Sequence, residues 1–265
     1  MITFPNAKIN LGLHVLARRK DGFHDIETVL YPVFLHDCLE IIPSSEAEAA
    51  LYQYGHLLPD GENLCMKAYK LLKSSYDISP VEMHLIKHIP AGAGLGGGSS
   101  DAAQTLKMLS KIFNLRLKED ELEHLAAQLG SDCPFFIKNK ALIAGGRGEV
   151  LSPVDLNLRG MYIVIVKPEV SISTAEAYAR ITPDNDRPSL RDCITKPVSE
   201  WKDCLINDFE APIFRDLPHL SDIKEELYRK GAMYASMSGS GSAIFGLFNK
   251  EVSYTSPGEV FSAYL

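Results

Sequence analysis

Residues 90–103 read PAGAGLGGGSSDAA, with five glycines followed by two serines and an acid. Glycines let the main chain approach a ligand closely and turn its N–H groups inward. A helix opening directly behind them adds partial positive charge, so the chemistry such a run offers is the cradling of phosphate. Gly92, Gly94 and Gly97 also fit the G-x-G-x-x-G spacing of dinucleotide sites. That fold needs a second strand ending in an acid, whereas Glu119, Asp120 and Glu121 here open another helix. A Walker loop needs Gly-Lys-Ser/Thr, but Gly97 is followed by Gly98 and Ser99. A protein-kinase glycine loop needs a hairpin. A plain linker would not lie between an alternating strand and a capped amphipathic helix. Phosphate cradling is the reading favoured.

Other residues invite chemistry more weakly. Lys8 lies in mid-strand, either on a wet sheet face or held for a purpose. Asp132, between Gly130 and Pro134, is either an ordinary turn or cap aspartate or a carboxylate projected from a fixed backbone position. Phe23 and His24 follow the turn signal Asp21-Gly22, beside Arg18, Arg19 and Lys20. They form either a solvated hairpin tip or a platform for a nucleobase. His84 and His88 lie in a strand pattern, where a four-residue separation is about 13 Å, so a shared metal is not expected. The Gly239-Ser240-Gly241 turn is a hairpin at least.

These residues need elements to hold them. Apolar Ala7, Ile9, Leu11, Leu13 and Val15 alternate with Lys8, Asn10, Gly12 and His14, the pattern of a half-buried strand. DIETVLYPVF continues strand-like, and residues 44–62 read as a loop or edge element. Leu64, Ala68, Leu71 and Leu72 make one helical face. Val81, Met83, Leu85 and Ile89 alternate into the glycine run. Behind it, Ala102, Leu106, Leu109 and Phe113 predict a helix to about Asn114, with Ser99, Ser100 and Asp101 as candidate caps. Leu122, Leu125, Ala126 and Leu129 predict a second helix, stopped by Gly130. ALIAGG reads as a strand, and a boundary is placed near residue 158, before MYIVIVKP. Ser173 and Glu176 suggest a capping box for a helix over 175–181, and Ser221 a helix ending at Gly231. Gly239 and Gly241 break the last two strands.

The 265 residues are 46% hydrophobic and 23% charged, enough for a large core in one or two domains. Five scattered cysteines without a C-x-x-C pair argue for free thiols in a reducing compartment, the cytoplasm, and against a zinc site. A formal charge of −7 disfavours a nucleic-acid surface. Neither a signal peptide nor a membrane span is expected.

PAGAGLGGGSSDAA resembles the Pro-x-x-x-Gly-Leu-Gly-Ser/Gly-Ser-Ser motif of the GHMP kinase superfamily, named for galactokinase, homoserine, mevalonate and phosphomevalonate kinases. AKINLGLHVLARRKDGFHDIETV and LGSDCPFF are similar to further motifs of its branch that acts on 4-diphosphocytidyl-2-C-methyl-D-erythritol, and SMSGSGSAIFGLF resembles the superfamily's third, C-terminal glycine motif. The resemblance spans residues 7–248 and implies an α+β fold of two domains. Residues 1–158 would be ribosomal-S5-like and residues 159–265 ferredoxin-like. It implies ATP-dependent phosphorylation of that substrate's 2-hydroxyl, in the non-mevalonate route to isoprenoid precursors. Homoserine or mevalonate phosphorylation is the alternative, and a non-catalytic nucleotide- or RNA-binding protein on the same fold is a more distant one.

Carried onto this chain, the resemblance makes Lys8 and Asp132 the catalytic pair. ATP falls on Pro90, Ala91, Gly92, Ala93, Gly94, Leu95, Gly96, Gly97, Gly98, Ser99 and Ser100. Asn10, Phe23, His24, Tyr178 and Gly239 meet the substrate, with Tyr178 as a second stacking face for the cytosine. Phe23 departs from the tyrosine of many relatives, which keeps a stacking ring but loses a phenol. Mg²⁺ is the expected companion of ATP, with ligands unknown, because the loop itself holds no lysine. The expected partner is the small cytidine diphosphate substrate, with no nucleic acid or membrane, and the expected assembly is a monomer or weak homodimer.

Overall fold

In the computed structural model, which describes residues 1–56 and 61–265, the first long strand already departs from expectation. In chain order the strands are β1 (Ile2–Thr3), β2 (Asn6–Arg18), β3 (His24–His36), β4 (Cys38–Pro43), β5 (Ala50–Gly55), β6 (Val81–Lys87), β7 (Leu142–Gly145), β8 (Val150–Pro153), β9 (Tyr162–Lys167), β10 (Tyr234–Met237), β11 (Ile244–Phe248) and β12 (Glu259–Tyr264). The helices are α1 (Leu64–Ser75), α2 (Gly97–Ile112), α3 (Glu119–Leu129), α4 (Cys133–Lys138), α5 (Thr174–Ala179), α6 (Leu190–Cys193), α7 (Glu210–Asp216) and α8 (Pro218–Arg229).

Two compact units result, each assembled from separate stretches of chain. The first takes residues 1–7, 35–91 and 96–140. Its sheet has the order β1-β4-β6-β5, with β4 antiparallel and β5 parallel to β6. Leu39, Ile41, Val81, Met83 and Leu85 face inward, and α2 packs on β4 through a stripe that includes Ala102, Leu106 and Leu109. Each such leucine or isoleucine stabilises the unit by about 1.5–3 kcal/mol. The second unit takes residues 8–34, 92–95 and 141–265. It holds one sheet of order β2-β3-β7-β8 and another of order β10-β11-β9-β12, the latter antiparallel throughout. Val164, Val166, Leu220, Leu227, Ile244 and Phe248 build its core together with Leu13 and Val15. The class is α+β, as the resemblance implies.

Several boundaries correct the sequence reading. β2 is buried on both faces from Asn6 to Val15, not half-buried: the side chains of Lys8 and Asn10 find hydrogen-bond partners within the second unit, and the Asn6 side-chain carbonyl accepts from Asn139 within the first. In α1 the inward face is Cys65, Ala68, Tyr69 and Leu72 rather than Leu64 and Leu71. α2 begins at Gly97, capped by Gly96 at φ +73°, so Ser99, Ser100 and Asp101 lie inside its first turns and are not its caps. α8 starts at Pro218 instead of Ser221, since proline's fixed φ suits a first helical position. α5 ends at Ala179, two residues short, although Ser173 does accept from the Glu176 amide. Within the expected loop or edge element at 44–62, residues 50–55 form the edge strand β5, and residues 57–60 lie outside the described residues.

Candidate active site

The glycines of residues 90–100 answer to close packing as well as to backbone freedom. Gly92, Gly94 and Gly96 adopt φ of +61°, +75° and +73°. In the second unit, a Cβ on Gly94 would lie 1.9 Å from the carbonyl oxygen of Ser238. The Ala93 carbonyl accepts from the Ala243 amide at 3.1 Å, and the Leu95 carbonyl from the Lys8 amide at 2.9 Å. The loop segment 92–95 is thereby fastened to β2 and to the turn between β10 and β11. In the first unit, a Cβ on Gly97 would meet Ile89 Cγ2 at 2.8 Å. Here the first turn of α2 lies directly on the end of the strand that leads into the loop. The Ser100 hydroxyl, in that turn, is buried and has no hydrogen-bond partner. An orphaned donor of this kind in a helix's opening turn fits a phosphate oxygen.

Lys8 is 3% exposed. Its ammonium donates to Asn10 Oδ1 at 2.5 Å and to the Gly94 carbonyl at 2.9 Å. Asn10 is held in turn, since its Nδ2 donates to Thr28 Oγ1 at 3.0 Å and its main-chain amide to Ser238 Oγ at 3.2 Å. Ser238 Oγ lies 2.8 Å from the Gly94 carbonyl. Gly239 takes φ +57°, and a Cβ there would lie 3.2 Å from Asn10 Oδ1. Asn207 fixes the same turn by donating to the carbonyls of Met237 and Gly239 at 2.7 and 2.8 Å. Lys8, Asn10, Gly94 and Gly239, four of the expected site residues, therefore share one hydrogen-bonded cluster inside the second unit. A buried ammonium oriented this firmly can act on charge developing beside it without first reorganising.

Asp132 belongs to the first unit. It occupies the cap position of α4, with Pro134 in the first turn, yet its carboxylate does not cap that helix. The residue is half-buried. Phe135, Phe136 and Ile137 anchor α4 behind it, so the backbone that carries the carboxylate is fixed by packing.

The hairpin between β2 and β3 closes with the Arg19 amide donating to the Phe23 carbonyl at 2.8 Å. Phe23 stands 55% exposed, with the Arg147 guanidinium 4.9 Å from its ring centroid. His24 and Tyr178 stack almost parallel, their centroids 4.9 Å apart, and Tyr178 rests edge-on against buried Phe209. Tyr178 thus turns a face to His24, while the exposed ring is Phe23. His84 pairs with Glu82 at 2.7 Å and stacks near Tyr52 and Tyr54.

Reasoning from sequence missed Thr28, Asn207, Ser238 and Arg147. Ser238 lies inside the SMSGSGSAIFGLF string and Thr28 inside AKINLGLHVLARRKDGFHDIETV, whereas nothing in the local pattern marks Asn207.

Residues 63–140 match the GHMP kinases N terminal domain, and residues 190–253 match the GHMP kinases C terminal domain. A protein of Bacteroides thetaiotaomicron named 4-diphosphocytidyl-2-C-methyl-D-erythritol kinase is 54% identical over 255 residues, covering 95% of this chain and 93% of its own. The chain belongs to the GHMP kinase family. It is an ATP-dependent small-molecule kinase, as that membership entails. The crystal structure of a 4-(cytidine 5'-diphospho)-2C-methyl-D-erythritol kinase aligns with a TM-score of 0.77 at 35% identity, over 93% of this chain and 90% of that one. The Methanococcus jannaschii mevalonate kinase aligns with a TM-score of 0.67 at 16% identity, over 94% and 90% of the two chains. This second likeness concerns the GHMP kinase fold alone.

Proposed function

We propose that this GHMP kinase transfers the γ-phosphoryl group of ATP to the 2-hydroxyl of 4-diphosphocytidyl-2-C-methyl-D-erythritol. The observation that carries the reading is end-to-end similarity to a kinase of that name, at 54% identity, against 16% for the mevalonate kinase. Residues 90–100 hold the triphosphate, with inward main-chain amides and the Ser100 hydroxyl as donors. Asp132 accepts the proton of the substrate hydroxyl. The freed oxygen bonds to the γ-phosphorus as the bond to the bridging β–γ oxygen breaks, and ADP leaves. The transition state is loose, so the proton departs late. Lys8 opposes the negative charge on the attacking oxygen, and Asn10 and Gly239 border the erythritol. Lys8 lies in one unit and Asp132 in the other, and their joint action on one hydroxyl is part of the proposal.

Phe23 offers its open face to the cytosine, and His24 and Tyr178 complete the base site. Among the described residues no group of three His, Cys, Asp or Glu side chains could hold a metal ion. The reading places Mg²⁺ on the triphosphate, with retained waters, where it would neutralise phosphate charge. The boundary between the two family domains is placed near residue 158, between the stretches 63–140 and 190–253 that match the family's N- and C-terminal domains. No helix among the described residues is long and apolar enough to cross a membrane. A cytoplasmic location is proposed on the five free thiols.

The test is ADP release measured with the cytidylyl substrate, mevalonate and homoserine in parallel. The reading expects turnover with the first and about a hundredfold lower kcat/KM with the others. Equal or greater turnover of mevalonate or homoserine contradicts it.

A further inference from the structure

Lys87 ends β6 on the inward face and is 1% exposed. Two carboxylates close on its ammonium, that of Asp37 and that of Asp101, the latter at 2.7 Å. The other Asp37 oxygen accepts from the amides of His88 and Ile89, at 2.6 and 2.8 Å. The other Asp101 oxygen is buried without a hydrogen-bond partner. A Cβ on Gly97 would lie 3.1 Å from the Lys87 ammonium, so the first turn of α2 lies directly on this cluster. The strand that enters the glycine loop and the helix that leaves it are thus pinned at one buried point of the first unit.

One ammonium facing two carboxylates leaves a surplus negative charge where water does not reach. Burial favours neutral carboxyl groups, and two neighbouring carboxylates oppose each other's ionisation. We propose that Asp101 is a positioning residue for phosphoryl transfer: the charge it carries decides how firmly the first turn of α2 holds a triphosphate. Neutral, it leaves Lys87 and Asp37 balanced beneath a helix end that attracts anions. Ionised, it sets a negative charge in the opening turns and weakens that attraction. The inference rests on the reading of residues 90–100 as the ATP loop.

The groups around Asp101 agree. Burial, reinforced by Asp37 and opposed by Lys87, pushes its carboxyl up to about 7. Burial works against the Lys87 charge, but the two carboxylates outweigh it and hold its pKa above the ordinary lysine value. From α1 the Cys65 thiol also faces the cluster, and burial pushes it well up, so it stays neutral. On α4 the Cys133 thiol, pushed by burial to about 11, faces Ser99.

Calorimetry with a non-hydrolysable ATP analogue, from about pH 5.5 to about pH 8.5, tests this on the full chain and on Asp101→Asn. Dividing one set of affinities by the other cancels the analogue's own titration. The unmodified chain should lose about tenfold in affinity, relative to the variant, as pH rises through this range. A constant ratio, which a merely structural role would give, overturns the proposal. A second measurement needs no variant. The carboxyl ¹³C signal of Asp101, assigned through bonds, should show a midpoint that rises by about one pH unit when the analogue saturates the protein. An unmoved midpoint also overturns it. If neither protein binds the analogue at any pH, the ATP reading itself falls, and this inference with it.

Discussion

Lys8 and Lys87 are both lysines on strands and both buried, yet only Lys8 drew notice in the sequence. Lys8 interrupts an obvious alternation. Lys87 occupies the inward register itself, between Leu85 and Ile89, so the apolar series runs across it. A charge in a core register was the available signal. For Lys8 and Asp132 the expectation is a fall in kcat of about 10²–10⁴-fold in Lys8→Ala and Asp132→Asn. ATP affinity, followed by calorimetry, should change by less than about threefold. Retained turnover in either variant removes that residue from the mechanism. His14 carries a prediction about stability. Burial, aided by the nearby Arg187, lowers its pKa below the ordinary value of 6.5. Its neutral form is the one that folding favours, so this contribution is present above about pH 6.5 and is lost as pH falls through the lower folded value. Urea midpoints of His14→Gln should accordingly decline less than those of the unmodified chain between about pH 7 and about pH 5. Parallel declines would contradict this.

At the scale of elements, strand–loop–helix order around residues 90–100 was legible because alternation and helical spacing flank a glycine run. The helix start was not. Serines and an aspartate are the usual caps, but Gly96 takes that place and Asp101 turns to Lys87 instead. The glycines themselves now divide by role. Gly92 has positive φ and open space, so Gly92→Ala should cost about 1–2 kcal/mol from backbone strain alone. Gly94 combines positive φ with main chain at 1.9 Å from a Cβ, which cannot yield as a flexible side chain would. Gly94→Ala should therefore lower stability by more than Gly92→Ala and raise the KM for ATP, as thermal unfolding and steady-state kinetics would register. Equal effects of the two substitutions would contradict the packing role given to Gly94.

For the molecule as a whole, the sequence conveyed the α+β class and the order of most elements. It did not convey that residues 8–34 and 92–95 belong to the same compact unit as residues 141–265. That membership is settled by pairings such as β3 with β7 and by the Ala93–Ala243 and Lys8–Leu95 hydrogen bonds, far apart in the chain. Local periodicity carries no record of them. The edge strand β12, also missed, pairs with β9 and bonds Tyr162 through Ser262. Deleting residues 259–265 should lower the melting temperature by more than about 5 °C; an unchanged melting temperature would show β12 to be dispensable. The central claim concerns one hydroxyl and one proton acceptor. It is tested most directly by a single turnover with ATP labelled at the γ-phosphate and excess 4-diphosphocytidyl-2-C-methyl-D-erythritol, comparing the unmodified chain with Asp132→Asn. The account predicts that the label arrives at the 2-hydroxyl in the first and stays on ATP in the second. Label on another position, in water only, or transferred equally by both proteins would contradict it.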